Sequence, residues 1–306
     1  MTTAPDASPG AATCGPERLG PDLEALVAAL HVPVRRIVTL TRLRAPGVQH
    51  ASFRLELLDG RVLKGRRLPS AEHAARVTAI LDVMDRRHFP PVVARRGEAL
   101  LEEWRPGEPL DHATLDPARL RQCGGILGAV HRAAPPSVEV DPRARPEARL
   151  AAVRWQSSTL LRAGALSAAS RRHLIGLLEA ELPADGAIGV IHRDFCAENL
   201  VWDASGHPHV VDNETMQLGA LDFDLARTWY RWPMTDAQAI AFLDGYTAYR
   251  SPETFLASFV FWTVAMLVDV SRYHLRVGTD RAQDAVALLH AVLEGSPTVG
   301  RWRPSR

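Results

Sequence analysis

The first third of the chain alternates short runs of apolar and β-branched residues with turn residues, a pattern typical of a small sheet. The dipeptide Asp59-Gly60 separates two such runs, and because Asp-Gly tolerates positive φ, the sequence predicts a β-hairpin there. Lys64 therefore lies on the second strand of that hairpin. The pattern predicts strands over 37–43, 52–58, 61–68, 91–95 and 99–104, and helices over 21–30 and from Ser70 to about 87.

From Pro109 onward, apolar residues recur mostly with helical spacing. The pattern predicts helices over 117–132, 147–163, 167–181, 236–249, 255–276 and 281–293, and short β segments at 187–192, 201–202 and 209–212. The predicted class is α+β, with a sheet-rich N-lobe over 21–105 and a larger helical C-lobe over 106–296. A disordered tail (1–20) and a basic tail (297–306) flank the two lobes.

Composition excludes several classes of function. The 36 basic and 35 acidic residues give a net charge of +1, which provides no overall attraction to nucleic acid or to an anionic membrane. Cys14, Cys123 and Cys196 are odd in number and lack metal-ligand spacing, so a reducing, cytoplasmic location is expected. The apolar run Phe255–Val268 is shorter than the roughly 18 to 20 residues that span a bilayer, and a buried helix is predicted there.

Two residue types are unusually rare. Lys64 is the only lysine, so 35 of the 36 basic residues are arginine, and asparagine occurs only at Asn199 and Asn213. A GC-rich genome explains this bias wherever arginine serves as well as lysine. Because a planar guanidinium changes the contacts that a compact ammonium makes, a lysine retained under such a bias marks a position where arginine does not serve.

Three oxygen-bearing side chains converge in the second half of the chain. Strands on either side of the turn at Ser205-Gly206 bring Asn199 and Asp212 to one end of a hairpin, with residue 199 or 200 expected opposite about 212. A carboxylate and an amide oxygen suit Mg²⁺, which prefers hard oxygen ligands. Asp194 lies five residues before Asn199 in the preceding loop, where it is expected to provide either a third oxygen ligand or a base that accepts the proton of an attacking hydroxyl. This arrangement is typical of phosphoryl transfer.

The stretch His192-Arg193-Asp194, with Asn199, Asp212 and the segment 219–226, resembles the kinase-like phosphotransferases of the aminoglycoside phosphotransferase and choline kinase type. The resemblance implies a bilobal protein-kinase-like fold that binds ATP and Mg²⁺ between its lobes. It implies Asp194 as the catalytic base and Asn199 and Asp212 as metal ligands.

The same resemblance extends to the N-lobe. It implies that Lys64 pairs with the phosphates and Glu72 with Lys64. Residues 100–110 are similar to the family's inter-lobe linker, whose backbone at Glu102 and Trp104 would bind adenine. The segment 45–50 takes the place of a phosphate-covering loop, and Asp224 that of the acid that braces the catalytic loop.

The function implied is transfer of the ATP γ-phosphoryl group to a hydroxyl of a small molecule, with an aminoglycoside-type antibiotic as the first candidate. A neutral hydroxyl compound, such as a macrolide, a sugar or a biosynthetic intermediate, is the alternative, because the last part of the chain is richer in arginine than in acids. A non-catalytic, nucleotide-binding pseudokinase is a second alternative. Neither nucleic acid nor a membrane is expected as a partner, and the chain is expected to be a monomer or homodimer. Glu214 is assigned either to a second metal or to a structural role.

Overall fold

The computed structural model describes residues 19–41, 51–110, 115–279 and 281–295. Most of the two predicted tails and the predicted phosphate-covering segment 45–50 lie outside these ranges. The observed strands are β1 (Val34–Thr41), β2 (Ala51–Leu57), β3 (Val62–Arg67), β4 (Val92–Arg96), β5 (Ala99–Glu103), β6 (Glu108–Pro109), β7 (Ile188–Ile191), β8 (Leu200–Trp202), β9 (Pro208–Val210) and β10 (Gln217–Ala220). The helices are α1 (Pro21–Ala28), α2 (Ala71–Leu81), α3 (Pro117–Arg132), α4 (Pro146–Arg162), α5 (Ala168–Ala180), α6 (Leu221–Arg231), α7 (Asp236–Thr247), α8 (Glu253–Ala257), α9 (Phe259–Val277) and α10 (Arg281–Leu293).

The N-terminal sheet is antiparallel and has the strand order β1-β2-β3-β5-β4. Because side chains alternate across a strand, the side chains of β5 contribute to the cores on both faces of the sheet. Leu101 packs in a small core with α1, whereas Leu100 belongs to the main core with α2. The predicted hairpin at Asp59-Gly60 is confirmed, and Lys64 lies on β3 opposite Glu102.

The C-terminal part is helical, with two small sheets that carry the loops of the site: β10-β7 and β6-β8-β9. Helices α3 and α7 approach so closely that a Cβ added at Gly124 would lie 1.8 Å from the carbonyl oxygen of Phe242. The predicted helix over 255–276 is buried as expected, but a break at Ser258 divides it into α8 and α9. None of the helices among the described residues is long and apolar enough to cross a membrane.

Candidate functional site

The loop after β7 carries His192, Arg193 and Asp194, and a buried carboxylate fixes its shape. Arg193 has φ +67°, a left-handed conformation that is unfavourable for a residue with a side chain. Asp224 stabilises it, because its two carboxylate oxygens accept hydrogen bonds from the amides of His192 at 2.8 Å and Arg193 at 2.6 Å. The predicted bracing role of Asp224 is confirmed.

Asp224 is itself held by a chain of buried groups from α3 and α7. His131 Nε2 lies 3.0 Å from its carboxylate, and Tyr246 Oη lies 2.8 Å from His131 Nδ1. Burial alone would raise the pKa of Asp224, but the hydrogen bond and charge of His131, together with the loop amides, outweigh it and lower the pKa. Asp224 is therefore held as a carboxylate, the form that accepts both amide hydrogen bonds.

His192 is a scaffold residue. Its Nδ1 accepts from the Asp194 amide at 3.2 Å, and its Nε2 donates to Asn213 Oδ1 at 3.1 Å. Both ring nitrogens are thus used within the protein, and the ring is fully buried. The carboxylate two residues later, that of Asp194, is partly open to solvent.

Asn199 and two arginines fix the orientation of the Asp194 side chain. Asn199 Nδ2 donates to the Asp194 carbonyl at 2.8 Å and to its Oδ2 at 3.0 Å. On the other side, Arg231 Nε lies 3.0 Å and Arg227 Nη2 lies 3.6 Å from Oδ1. Because the amide nitrogen of Asn199 faces Asp194, its Oδ1 is the atom left to bind a metal.

Asp212 follows β9 at the open end of the β8-β9 hairpin. Its backbone is left-handed, with φ +58°. The observed register pairs Leu200 with Val210, and the Val211 amide donates to the Asn199 carbonyl at 2.8 Å, so Asp212 lies one residue beyond the pairing. The predicted pairing with 212 was therefore wrong by one to two residues, but Asn199 and Asp212 do lie at the same end of the hairpin.

Lys64 contacts Asp212 across the cleft between β3 and this hairpin. Its Nζ forms an ion pair and hydrogen bond with Asp212 Oδ1, and the lysine side chain is only 13% exposed. Burial would raise the pKa of Asp212, but the ammonium of Lys64 and the guanidinium of Arg66 outweigh it and lower the pKa. The structure thus brings together two of the predicted site residues from opposite halves of the chain.

Arg66 is a site residue that sequence reasoning missed. Its side chain is 1% exposed and contacts three carboxylates: Glu102 Oε2 lies 2.7 Å from its Nε, Asp212 Oδ1 lies 3.5 Å from its Nη2, and Glu214 contacts Nη1. Burial would lower the pKa of Arg66, but these carboxylates raise it well above its ordinary value. Of the two roles considered for Glu214, its contact with Arg66 supports the structural one.

The predicted ion pair between Lys64 and Glu72 is not formed in the described structure, where Lys64 pairs with Asp212. Glu72 is exposed on the first turn of α2, and hydrogen bonds from its own backbone amide and then from the Ser70 hydroxyl lower the pKa of its carboxylate. The residue of this turn that faces the site is His73, whose Nε2 lies 2.6 Å from the Glu214 carbonyl. On the first turn of α2, the side that faces the site is therefore one residue further along the chain than predicted.

The predicted adenine contacts also need correction. The Trp104 amide donates to the Val62 carbonyl at 3.1 Å, so it is not available to a nucleotide while β3 and β5 remain paired. Glu102 lies inside the sheet opposite Lys64, and its buried side chain contacts Arg66.

A cavity of about 820 Å³ opens beside Asp194. Its walls come mainly from the loop that carries Arg193 and Asp194, from α6, from the end of α9 and from the start of α10. Among the described residues that line it, two are aspartates, Asp194 and Asp269, and seven are arginines: Arg143, Arg193, Arg227, Arg231, Arg272, Arg276 and Arg281. Sequence reasoning singled out none of these seven for binding, because arginine is common along the whole chain.

Within the described ranges, no group of three or more His, Cys, Asp or Glu side chains converges as a metal-binding cluster. The oxygen ligands available at the hairpin end are one carboxylate, Asp212, and one amide, Asn199. Cys196 lies next to this loop, but burial raises the pKa of its thiol to about 12. It therefore stays protonated near neutral pH.

Structural comparison places this architecture among known kinase-like folds. A macrolide 2'-phosphotransferase (MphH) from Brachybacterium faecium superimposes with a TM-score of 0.59 at 20% identity, covering 89% of this chain and 97% of that one. A thermostable mutant of the aminoglycoside phosphotransferase APH(4)-Ia gives 0.66 at 14%, covering 89% and 98%. Choline kinase LicA from Streptococcus pneumoniae gives 0.64 at 12%, also covering 89% and 98%. The predicted bilobal, kinase-like α+β fold is confirmed.

A search of curated protein sequences gave no significant match. The model of the "phosphotransferase enzyme family", by contrast, matches residues 41–255. This range includes Lys64 on β3, the loop of Asp194 and the hairpin of Asn199 and Asp212, and it covers more than half of the chain. The resemblance seen in the sequence is confirmed, and the chain belongs to the phosphotransferase enzyme family.

Proposed function

We propose that this protein is an ATP-dependent O-phosphotransferase that moves the γ-phosphoryl group of ATP to a hydroxyl of a small molecule. One observation carries the proposal: Asp194 lies at the wall of a large cavity and is hydrogen-bonded to Asn199, which shares its hairpin end with Asp212, the partner of Lys64. A base, two metal ligands and a phosphate-binding cation are the parts that phosphoryl transfer requires.

The residues at the hairpin end fit a magnesium nucleotide. The Asn199 amide oxygen remains available because the amide nitrogen is used by Asp194, and the Asp212 carboxylate carries charge. Lys64 is the cation suited to the nucleotide phosphates. When bound, Mg²⁺ supplies neutralisation of the phosphate charge and keeps positions for water and phosphate oxygens.

Asp194 is the proposed catalytic base. It accepts the proton of the acceptor hydroxyl as the hydroxyl oxygen bonds to the γ-phosphorus and the bond from that phosphorus to the ADP oxygen breaks. Asn199 and Arg231 each hold one of its carboxylate oxygens, so the carboxylate is oriented before the acceptor binds. Such pre-orientation lowers the entropy that must be lost on reaching the transition state.

The cavity supports a choice among the acceptors. An aminoglycoside is a polycation, and a wall of seven arginines and two aspartates repels it. The acceptor is therefore proposed to be a small hydroxyl compound that is not polycationic. The pseudokinase alternative predicts nucleotide binding without turnover.

The test combines ADP release and calorimetry. Asp194→Asn keeps the shape of the side chain, and we expect it to lower acceptor-dependent ADP release by about 10² to 10⁴ with MgATP affinity nearly unchanged. Asp212→Ala should instead remove the gain in ATP affinity that Mg²⁺ provides.

Full turnover by Asp194→Asn with a confirmed acceptor would refute the assignment of the base. A wild-type protein that binds MgATP but turns over no member of a broad panel of hydroxyl compounds, anionic ones included, would favour the pseudokinase.

A further inference from the structure

We propose that the natural acceptor carries an anionic group, a carboxylate or a phosphate monoester, in addition to the hydroxyl that is phosphorylated. This inference rests on the proposed function, because it assigns the cavity beside Asp194 to the acceptor. The first observation is the charge of the walls. Seven arginines against two aspartates leave an excess of five positive charges among the described lining residues.

The second observation is that both aspartates of the wall are already shared between arginines. Asp194 lies within ion-pair distance of Arg231 and Arg227, at 3.0 and 3.6 Å. Asp269 lies 3.6 Å from Arg143 and 4.0 Å from Arg193. Arg143 also pairs with Asp141 at 3.1 Å, but Arg227 and Arg231 share the one carboxylate of Asp194. A cationic ligand would have to displace these two guanidinium groups, whereas an anion gives them a further partner.

The third observation is the state of the arginines inside the wall. The Nε of Arg193 is buried and has no hydrogen-bond partner among the described residues. Burial, with Arg227 close by, lowers the pKa of Arg193. The Arg193 side chain as a whole is 25% exposed, so an anion in the cavity can contact its guanidinium. An anion there supplies hydrogen-bond acceptors and opposite charge beside Arg227.

The rim shows the same preference. Arg276 and Arg281 are exposed at the end of α9 and on the first turn of α10, and Arg272 lies over the ring of Trp155 at 4.5 Å. His274 also lines this cavity. Its pKa is lowered by burial and then by the nearby charges of Arg281, Arg227 and Arg231, so its ring stays neutral near pH 7. The positive rim lies on other elements than the base, so an acceptor can hold its anionic group there while its hydroxyl faces Asp194.

The test is a binding measurement on the full chain with saturating Mg²⁺ and ADP. Filling the nucleotide site first keeps added anions from the positions of the two ADP phosphates, and the rim variant below distinguishes the cavity from the γ-phosphate position that ADP leaves open. The probes are inorganic phosphate, glycerol 3-phosphate and citrate, with kanamycin as the polycation, all at constant ionic strength. We expect the anions to bind and kanamycin not to bind.

A double variant and a matched control locate the binding. Arg276→Gln with Arg281→Gln removes two exposed rim charges that make no contact with Asp194, and it should weaken anion binding about tenfold or more. Arg162→Gln with Arg172→Gln removes two charges from exposed positions on α4 and α5, outside the cavity. This control should leave the anion affinity unchanged within about twofold.

Tighter binding of the phosphates than of citrate would identify a phosphate ester as the acceptor's anionic group, and the reverse order a carboxylate; either supports the inference. The inference would be overturned if kanamycin bound more tightly than every anion. It would also be overturned if the double substitution Arg276→Gln with Arg281→Gln left the anion affinity unchanged. If the wild type binds Mg·ADP but none of the anions, this inference alone is overturned. If the wild type does not bind Mg·ADP at all, the proposed function itself is contradicted.

Discussion

The buried guanidinium of Arg66 allows a quantitative test of its ion pair with Glu102 on the neighbouring strand of the sheet. Replacing Arg66 by Met keeps a similar volume but leaves the Glu102 carboxylate, 1% exposed, without the Nε–H that lies 2.7 Å from its Oε2. Its other oxygen, Oε1, has no hydrogen-bond partner among the described residues. An uncompensated buried charge costs about 3 to 5 kcal/mol.

We therefore expect Arg66→Met to lower the free energy of unfolding by about 3 to 5 kcal/mol. Adding Glu102→Met removes the stranded carboxylate, and because a buried ion pair replaced by apolar side chains is often neutral, the double variant should recover most of the loss. Part of the loss remains, since Glu214 also loses its contact with Arg66. The expected coupling energy between the two substitutions is at least about 2 kcal/mol.

Urea unfolding followed by tryptophan fluorescence and by circular dichroism gives the four free energies of this cycle. The control is Arg67→Met on the same strand, whose side chain is 27% exposed and pairs with Glu98 at 3.3 Å. A surface pair of this kind contributes about 0 to 1 kcal/mol. If Arg66→Met costs no more than Arg67→Met, or if the effects of the two substitutions in the cycle simply add, Arg66 does not stabilise the carboxylate of Glu102.

Three further predictions concern the nucleotide site, the catalytic loop and the helix packing. MgATP should protect Lys64 from an amine-acylating reagent while labelling of the α-amino group stays constant, as peptide mapping would show; equal labelling of Lys64 with and without MgATP would refute its role. Because the native pKa of Asp224 lies below its ordinary 3.8, its stabilising effect is full above that pH and is lost as the pH falls through the native pKa. The stability advantage of the wild type over Asp224→Asn, measured by urea unfolding from pH 3 to 7, should therefore shrink at the acid end, and parallel curves would contradict this. Gly124→Ala should destabilise the protein by about 1 to 3 kcal/mol, since its Cβ would overlap a carbonyl of α7, whereas Gly176→Ala in the open face of α5 should be neutral or stabilising.

The sequence predicts those parts of the fold whose signals are local. Asp59-Gly60 forms its turn, and Ser70 caps α2 by accepting from the His73 amide at 3.2 Å. Helices α3 and α10 have the predicted bounds. By contrast, α2 ends at Leu81 instead of about 87, and the sequence pattern predicts no element at β10 or α6. Helix α6 buries acids and aromatic residues together, so its polar pattern gives no indication of a core helix.

The candidate site was predictable where spacing along the chain determines geometry, as for Asp194, Asn199 and Asp212. It was not predictable where tertiary contacts decide. The rotation of α2 that turns Glu72 outward and His73 inward depends on how the helix packs, and propensity does not encode it. Arg227 and Arg231 are spaced like an ordinary solvated helix face, and only the fold shows that both face Asp194.

The contact between Lys64 and Asp212 has a thermodynamic consequence. Asp212 also lies 3.5 Å from Arg66, so a phosphate that pairs with Lys64 leaves Asp212 with one cation fewer. A Mg²⁺ ion bound to Asp212 would replace that charge, and it would in turn leave Lys64 in need of an anion. When phosphate and Mg²⁺ bind together, each supplies the charge that the other's binding removes, so the electrostatic cost of separating Lys64 from Asp212 is shared. For the proposed MgATP site we therefore expect cooperative binding, and linkage requires that Mg²⁺ raise the affinity for ATP by the same factor by which ATP raises the affinity for Mg²⁺.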